Sequence, residues 1–160
     1  EDLVRGLETF MPPPHRMADV ASVDDVRFIN DSKATNIGAL AAALSSCSSP
    51  VVLIAGGRDK ASDFTLLEEM VARKVKRLIL IGEAADAMEA AFGSVVGVER
   101  ATDMEDAVRR AKAVAVSGDT VLLAPGCASF DMFSGYAERG RVYEKHVLQL
   151  ARECGAGVCD

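Results

Sequence analysis

From about residue 26 onward, short and nearly continuous apolar runs alternate with longer stretches in which apolar residues recur every three or four positions. The short runs lie at 26–30, 51–55, 77–82, 95–99 and 120–124. They predict strands covered on both faces, because a strand with one wet face would alternate polar and apolar residues instead. The stretches between them predict helices at 36–47, 63–74, 84–92 and 103–115, with a last long one at 137–153. Strand and helix in alternation imply an α/β fold built on a mainly parallel sheet with helices on both faces. Ahead of it, "RMADVASVDDVRFIN" carries two apolar runs around Asp24 and Asp25, which predicts a hairpin leading into the first central strand.

Local punctuation refines this outline. Thr102 before "DMED" reads as a hydroxyl cap followed by acids that suit the positive end of a helix, and "SGD" at 117–119 ends that helix. Asp31 or Ser32 is suited to cap the helix that begins near Thr35. "LVRGLETFMPPPHR" is a short helical pattern stopped by three prolines, so residues 12–14 are expected to form a stiff extended connector.

Composition narrows the partners. With 160 residues, 49% of them apolar, the chain can build one core that buries about 70% of the surface its unfolded form exposes. A net charge of -6, two histidines and the lack of a Lys/Arg run argue against a nucleic-acid groove or an anionic membrane as the main partner. The longest apolar runs are far shorter than the ~20 residues a membrane helix needs, and the acidic N-terminus lacks a signal-peptide pattern. The expectation is a soluble, cytoplasmic protein. Cys47, Cys127, Cys154 and Cys159 form no C-x-x-C pair and suggest neither a zinc site nor a disulfide framework. Cys47 reads as a small buried hydrophobe, and Cys127 as no nucleophile, because it would need a histidine base and the two histidines lie beside the proline connector (His15) and on the terminal helix (His146).

Chemistry concentrates after three of the strands. "NDSKATN" follows 26–30, "GGRDK" follows 51–55 and "PGCASFDMF" follows 120–124. In open α/β sheets ligands bind beyond the carboxyl ends of strands, where loops and helix N-termini present free N–H groups, so the three loops should converge. Each could serve only as turn and cap. Together, Lys33, Arg58 and Lys60 would gather positive charge on one edge of an acidic protein, which implies an anionic ligand. Neither G-x-G-x-x-G after the first strand nor G-x-x-x-x-G-K-[ST] occurs, so this chain carries no dinucleotide fingerprint and no P-loop. A non-catalytic anion- or nucleotide-binding module would also explain these loops.

"HR" at 15–16, "NDSKATN" at 30–36, "GGRDK" with "DF" at 63–64, and "LLAPGCASFDMF" with "ERG" at 138–140 closely resemble the C-terminal domain of the Mur ligases, in the right order over nearly the whole chain. The resemblance implies a Rossmann-like, dihydrofolate reductase-like domain at 14–160, preceded at 1–13 by a linker and remnant of an ATPase domain. It implies ATP-dependent amide formation in peptidoglycan synthesis, in which D-glutamate joins UDP-N-acetylmuramoyl-L-alanine through an acyl phosphate, with Mg2+ held mainly by the central domain and no metal site here. Another amino acid acceptor within the family is the alternative. Partners are then the small-molecule substrates and the enzyme's own N-terminal and central domains, in a monomer. Thr35, Lys60 and Ser129 match carboxylate-binding positions, with Phe130 and Tyr136 as a wall where the family carries leucine and phenylalanine. Arg16, Asp31 and Lys33 match the nucleotide and phosphate side, Asp31 as acceptor for ribose hydroxyls and Lys33 as the catalytic group.

Overall fold

The computed structural model describes residues 13–155. The N-terminal helical pattern, and Pro12 of the expected connector, lie outside these residues. Pro13 does not continue an extended segment, since its carbonyl accepts a hydrogen bond from Arg16 N–H (3.3 Å) and so opens a turn.

Two strands, β1 (Ala18–Val23) and β2 (Val26–Asn30), form the expected antiparallel hairpin. Asp24 and Asp25 both adopt positive φ at its tip, the conformation a two-residue hairpin turn requires. The remaining strands are β3 (Val51–Gly56), β4 (Val75–Ile81), β5 (Val98–Arg100) and β6 (Thr120–Leu123). They order as β1-β2-β6-β3-β4-β5, with every pairing after the hairpin parallel. The helices are α1 (Ile37–Ser46), α2 (Glu68–Lys74), α3 (Ala85–Phe92), α4 (Met104–Val114) and α5 (Tyr136–Glu153), and a 3-10 turn at Phe64–Leu67 precedes α2.

Successive strand side chains point to opposite faces, and the core divides accordingly. Leu53, Leu78, Leu80 and Leu122 pack with Leu40 and Leu44 of α1 and Phe92 of α3 on one side. Val52, Ile54, Ile79 and Val121 pack with Val108 of α4 and Tyr143 and Val147 of α5 on the other. The apolar runs are continuous because both faces are covered. Among the described residues no helix is long and apolar enough to cross a membrane.

Three of the departures from the sequence reading have a clear local cause. The strand expected at 95–99 begins only at Val98, because Val95 and Val96 donate to the Phe92 carbonyl and close the end of α3. Helix α4 is capped by Asp103, which accepts from Asp106 N–H (2.8 Å), while Thr102 donates its own N–H to the Asp106 carboxylate (3.0 Å). Helix α1 is capped by Asn36, whose Oδ1 accepts from Ala39 N–H (2.9 Å). Asp31 and Ser32 sit too early to cap it and have other partners.

Candidate functional site

The loops after β2, β3 and β6 are joined by backbone hydrogen bonds into one rim. Gly126 N–H donates to the Ala34 carbonyl (2.8 Å) and Gly56 N–H to the Pro125 carbonyl (3.0 Å). Arg58 and Ala128 exchange two bonds, 2.8 Å from Arg58 N–H and 3.1 Å from Ala128 N–H, which sets Lys60 and Ser129 near one another. Gly57 makes this closeness possible: its φ is +136°, and a Cβ there would stand 2.2 Å from the Ala128 carbonyl oxygen, so no other residue fits without moving backbone.

One cavity of about 310 Å³ opens on this rim, and Thr35, Lys60, Ser129, Phe130 and Tyr136 all line it together with Asn36 and Ala128. The five residues expected to serve one ligand are thus brought together from three loops and the start of α5. Among the described residues, the Lys60 ammonium and the Thr35 and Ser129 hydroxyls make no hydrogen bond or ion pair. Ser129 is only 2% exposed overall and lines this cavity. Phe130 is 62% exposed and supplies an apolar lip. Arg58 lines neither this cavity nor the next; it pairs with Glu83 (3.2 Å), so the positive charge comes from Lys60 in the first cavity and from Arg16 and Lys33 in the second.

A second cavity of about 320 Å³ is lined by Arg16, Asp31 and Lys33, with Met17 and the alanine-rich face of α1 behind them. Asp31 is 6% exposed. Its Oδ1 accepts from Met17 N–H (3.1 Å), and its Oδ2 makes no hydrogen bond among the described residues. Burial raises the Asp31 carboxyl above its ordinary value, against the opposing effects of the Met17 hydrogen bond and the Arg16 guanidinium. Lys33 donates its backbone N–H to the His15 carbonyl (3.0 Å) and carries its ammonium 5.8 Å from the centre of the Tyr136 ring. It therefore stands between the two cavities.

Behind the rim lies a buried polar framework. Arg139 of α5, 1% exposed, donates Nε to Ser32 Oγ (3.0 Å), Nη2 to the Ser32 carbonyl (2.7 Å) and Nη1 to the Cys127 carbonyl (3.0 Å). One guanidinium thus ties the loop after β2 to the loop after β6. Among the described residues no carboxylate pairs with it, and burial pulls its pKa down to about 10. Asn30 holds the other side: its amide donates to His15 Nδ1 (2.9 Å) and Glu144 Oε1 (2.8 Å), and its oxygen accepts from Ser32 N–H (3.0 Å). The histidine presses on α5 so closely that a Cβ on Gly140 would stand 2.1 Å from its Nδ1.

Cys127 is buried, and desolvation pushes its thiol up to about 12. A thiol so hard to ionise is not a nucleophile at neutral pH. Cys47, at the C-terminal end of α1, is buried in the core. Among the described residues, no group of three His, Cys, Asp or Glu side chains comes together that could hold a metal ion.

The motif "ERG" was visible in sequence, but nothing there assigned Arg139 its two loops or Gly140 its contact with His15. Asn36 was also missed as a cavity residue, although it closes "NDSKATN".

The family model described as Mur ligase, glutamate ligase domain, matches residues 15–127. The chain belongs to the Mur ligase family. Among curated Mur ligases, UDP-N-acetylmuramoylalanine–D-glutamate ligase of Desulfotalea psychrophila is 50% identical over 149 residues, 93% of this chain and 32% of the relative. The same-named protein of Syntrophotalea carbinolica is 48% identical over 136 residues, 85% of this chain and 30% of the relative. The chain therefore spans about a third of the length of these Mur ligases. Solved structures agree on the fold. A pseudomurein peptide ligase type C from Methanothermus fervidus superposes with a TM-score of 0.66 at 16% identity, over 91% of this chain and 31% of that one. A bifunctional folylpolyglutamate synthase/dihydrofolate synthase from Yersinia pestis gives 0.63 at 18%, over 95% and 34%.

Proposed function

We propose that residues 14–160 form the amino-acid-binding domain of an ATP-dependent amide ligase that joins D-glutamate to UDP-N-acetylmuramoyl-L-alanine in peptidoglycan synthesis. An ATPase domain would precede it in the full-length protein, with residues 1–13 as the link. The observation that carries this reading is the cavity lined by Lys60, Thr35 and Ser129, three hydrogen-bond donors with no partner among the described residues, in a chain of this family.

In the reaction the γ-phosphoryl group of ATP passes to the alanine carboxylate and ADP leaves. The amine of D-glutamate, as the free base, attacks the acyl carbon, phosphate departs with the carbon–oxygen electron pair, and the attacking nitrogen loses a proton. The work left to this domain is positioning. Lys60, Thr35 and Ser129 hold the acid's carboxylates, so that the amine is presented to the acyl carbon rather than diffusing past it. Phe130 and Tyr136 shield that face from water, which would otherwise hydrolyse the acyl phosphate.

The second cavity suits the nucleotide. Asp31 has one oxygen tied to Met17 and one open to accept from ribose hydroxyls, and Arg16 and Lys33 supply positive charge for phosphates. Mg2+ would neutralise those phosphates from the preceding domain. Lys33, between the cavities, is placed to meet the charge that develops as the phosphoryl group moves.

The test is amino-acid-dependent phosphate release by the full-length protein, with the UDP-sugar acceptor present. D-Glutamate should support turnover while L-glutamate and neutral amino acids do not. Turnover with another amino acid alone would move the assignment elsewhere in the family, and no turnover with any would leave a binding module.

A further inference from the structure

We propose that the side-chain amide of Asn36 is a further specificity-determining donor, which takes a carboxylate oxygen of the dicarboxylic amino acid alongside Lys60. The inference rests on the reading of the cavity given above and adds a residue to it. Asn36 lines the same cavity as Lys60, Thr35 and Ser129. Its orientation is fixed by chemistry: Ala39 N–H is a donor at 2.9 Å, so the atom facing it must be the acceptor Oδ1. Nδ2 is thereby turned away from the helix, and it makes no hydrogen bond among the described residues.

Capping alone does not call for an amide. Aspartate and serine cap at least as well, and aspartate would gain from the helix dipole besides. What asparagine offers beyond them is two N–H donors on the far side of a locked group. The first turn of α1 contains no acidic residue, and an incoming anion meets Lys60, the amide and the positive helix end together.

The cap and the contact can be separated because Asn36→Asp keeps the first and inverts the second. In the full-length enzyme, steady-state kinetics should show Asn36→Asp raising the KM for D-glutamate by about tenfold or more, the loss expected when one hydrogen bond to a charged group is removed and a like charge put in its place. Asn36→Ser keeps a capping oxygen without the amide and should raise that KM by roughly three- to tenfold. In both variants the KM for ATP should stay within about twofold of the parent and thermal melting should not fall. A merely structural role for Asn36 predicts the reverse: no change in Asn36→Asp, or a joint rise in both KM values with lowered melting. Either result overturns the proposal. If the parent accepts D-glutamate normally while Asn36→Asp is unchanged, only this inference fails; if the parent turns over with no dicarboxylic amino acid, the function proposed above fails with it.

Discussion

Replacing Arg139 with methionine should be among the most damaging single changes in this chain, and the structure allows its size to be worked from two directions. The guanidinium makes three hydrogen bonds to neutral oxygens, each contributing about 1.5–3 kcal/mol for a charged donor. Against that stands the burial of the cation. A pKa pulled down to about 10 corresponds to roughly 3 kcal/mol against the charged form, which leaves a net contribution of about 3 kcal/mol. The second route counts what methionine leaves behind. Ser32 Oγ still has its bond to the Tyr136 carbonyl, but the Ser32 and Cys127 carbonyls lose a partner inside the protein, at about 1–3 kcal/mol each. Both routes give about 3–4 kcal/mol. For a chain of this size that lowers the melting temperature by roughly 10 °C. Urea unfolding of this chain, followed by circular dichroism, measures it. Arg139→Lys should recover only part of the loss, since a single ammonium cannot span both loops as the planar fork does. An Arg139→Met chain within about 1 kcal/mol of the parent would refute the claim that this side chain holds the two loops together.

Other expectations concern the site and its support. In the full-length protein, Lys60→Ala should raise the D-glutamate KM by about tenfold to a hundredfold, leaving the KM for the UDP-sugar near normal; unchanged kinetics would remove Lys60 from the site. Gly140→Ala puts a methyl group against His15 and should cost about 1–3 kcal/mol in the same urea assay. Asp31→Asn should stabilise this chain at neutral pH, because the raised carboxyl pKa means that ionising Asp31 works against the fold. The sign follows from proton linkage: between the ordinary and the folded-state values the native protein binds more protons, so stability falls as pH rises through the folded-state value. The advantage of asparagine should therefore be present at pH 7 and disappear as pH falls below the ordinary carboxylate value. An advantage that grew toward acid would contradict the assignment.

The sheet and its order of elements were legible because the two faces of each central strand are both covered, which turns runs such as 51–55 and 121–124 into unbroken apolar signals. The convergence of three loops was legible for a geometric reason, since parallel strands deliver all their carboxyl ends to one edge. What failed was local competition. Val95 and Val96 look like a strand, but they are used to finish α3. Asp31 and Ser32 both suit a cap by residue type, but the backbone path gives that role on α1 to Asn36. Asn30, Arg139 and Gly140 could not be assigned because each acts through partners far along the chain that the fold alone makes neighbours.

The sheet order also bears on how the chain reaches this state. Strand β6 lies between β2 and β3, yet among the described strands it is the last that a ribosome would deliver. Until it emerges, the nascent polypeptide holds a hairpin on one side and β3–β5 on the other, each with an unsatisfied edge, and neither Asn30 nor Ile54 can meet Leu123. Such long-range parallel pairing is slow to form and exposes sticky edges meanwhile. Truncation before Thr120 should accordingly yield not a smaller working domain but an aggregating one.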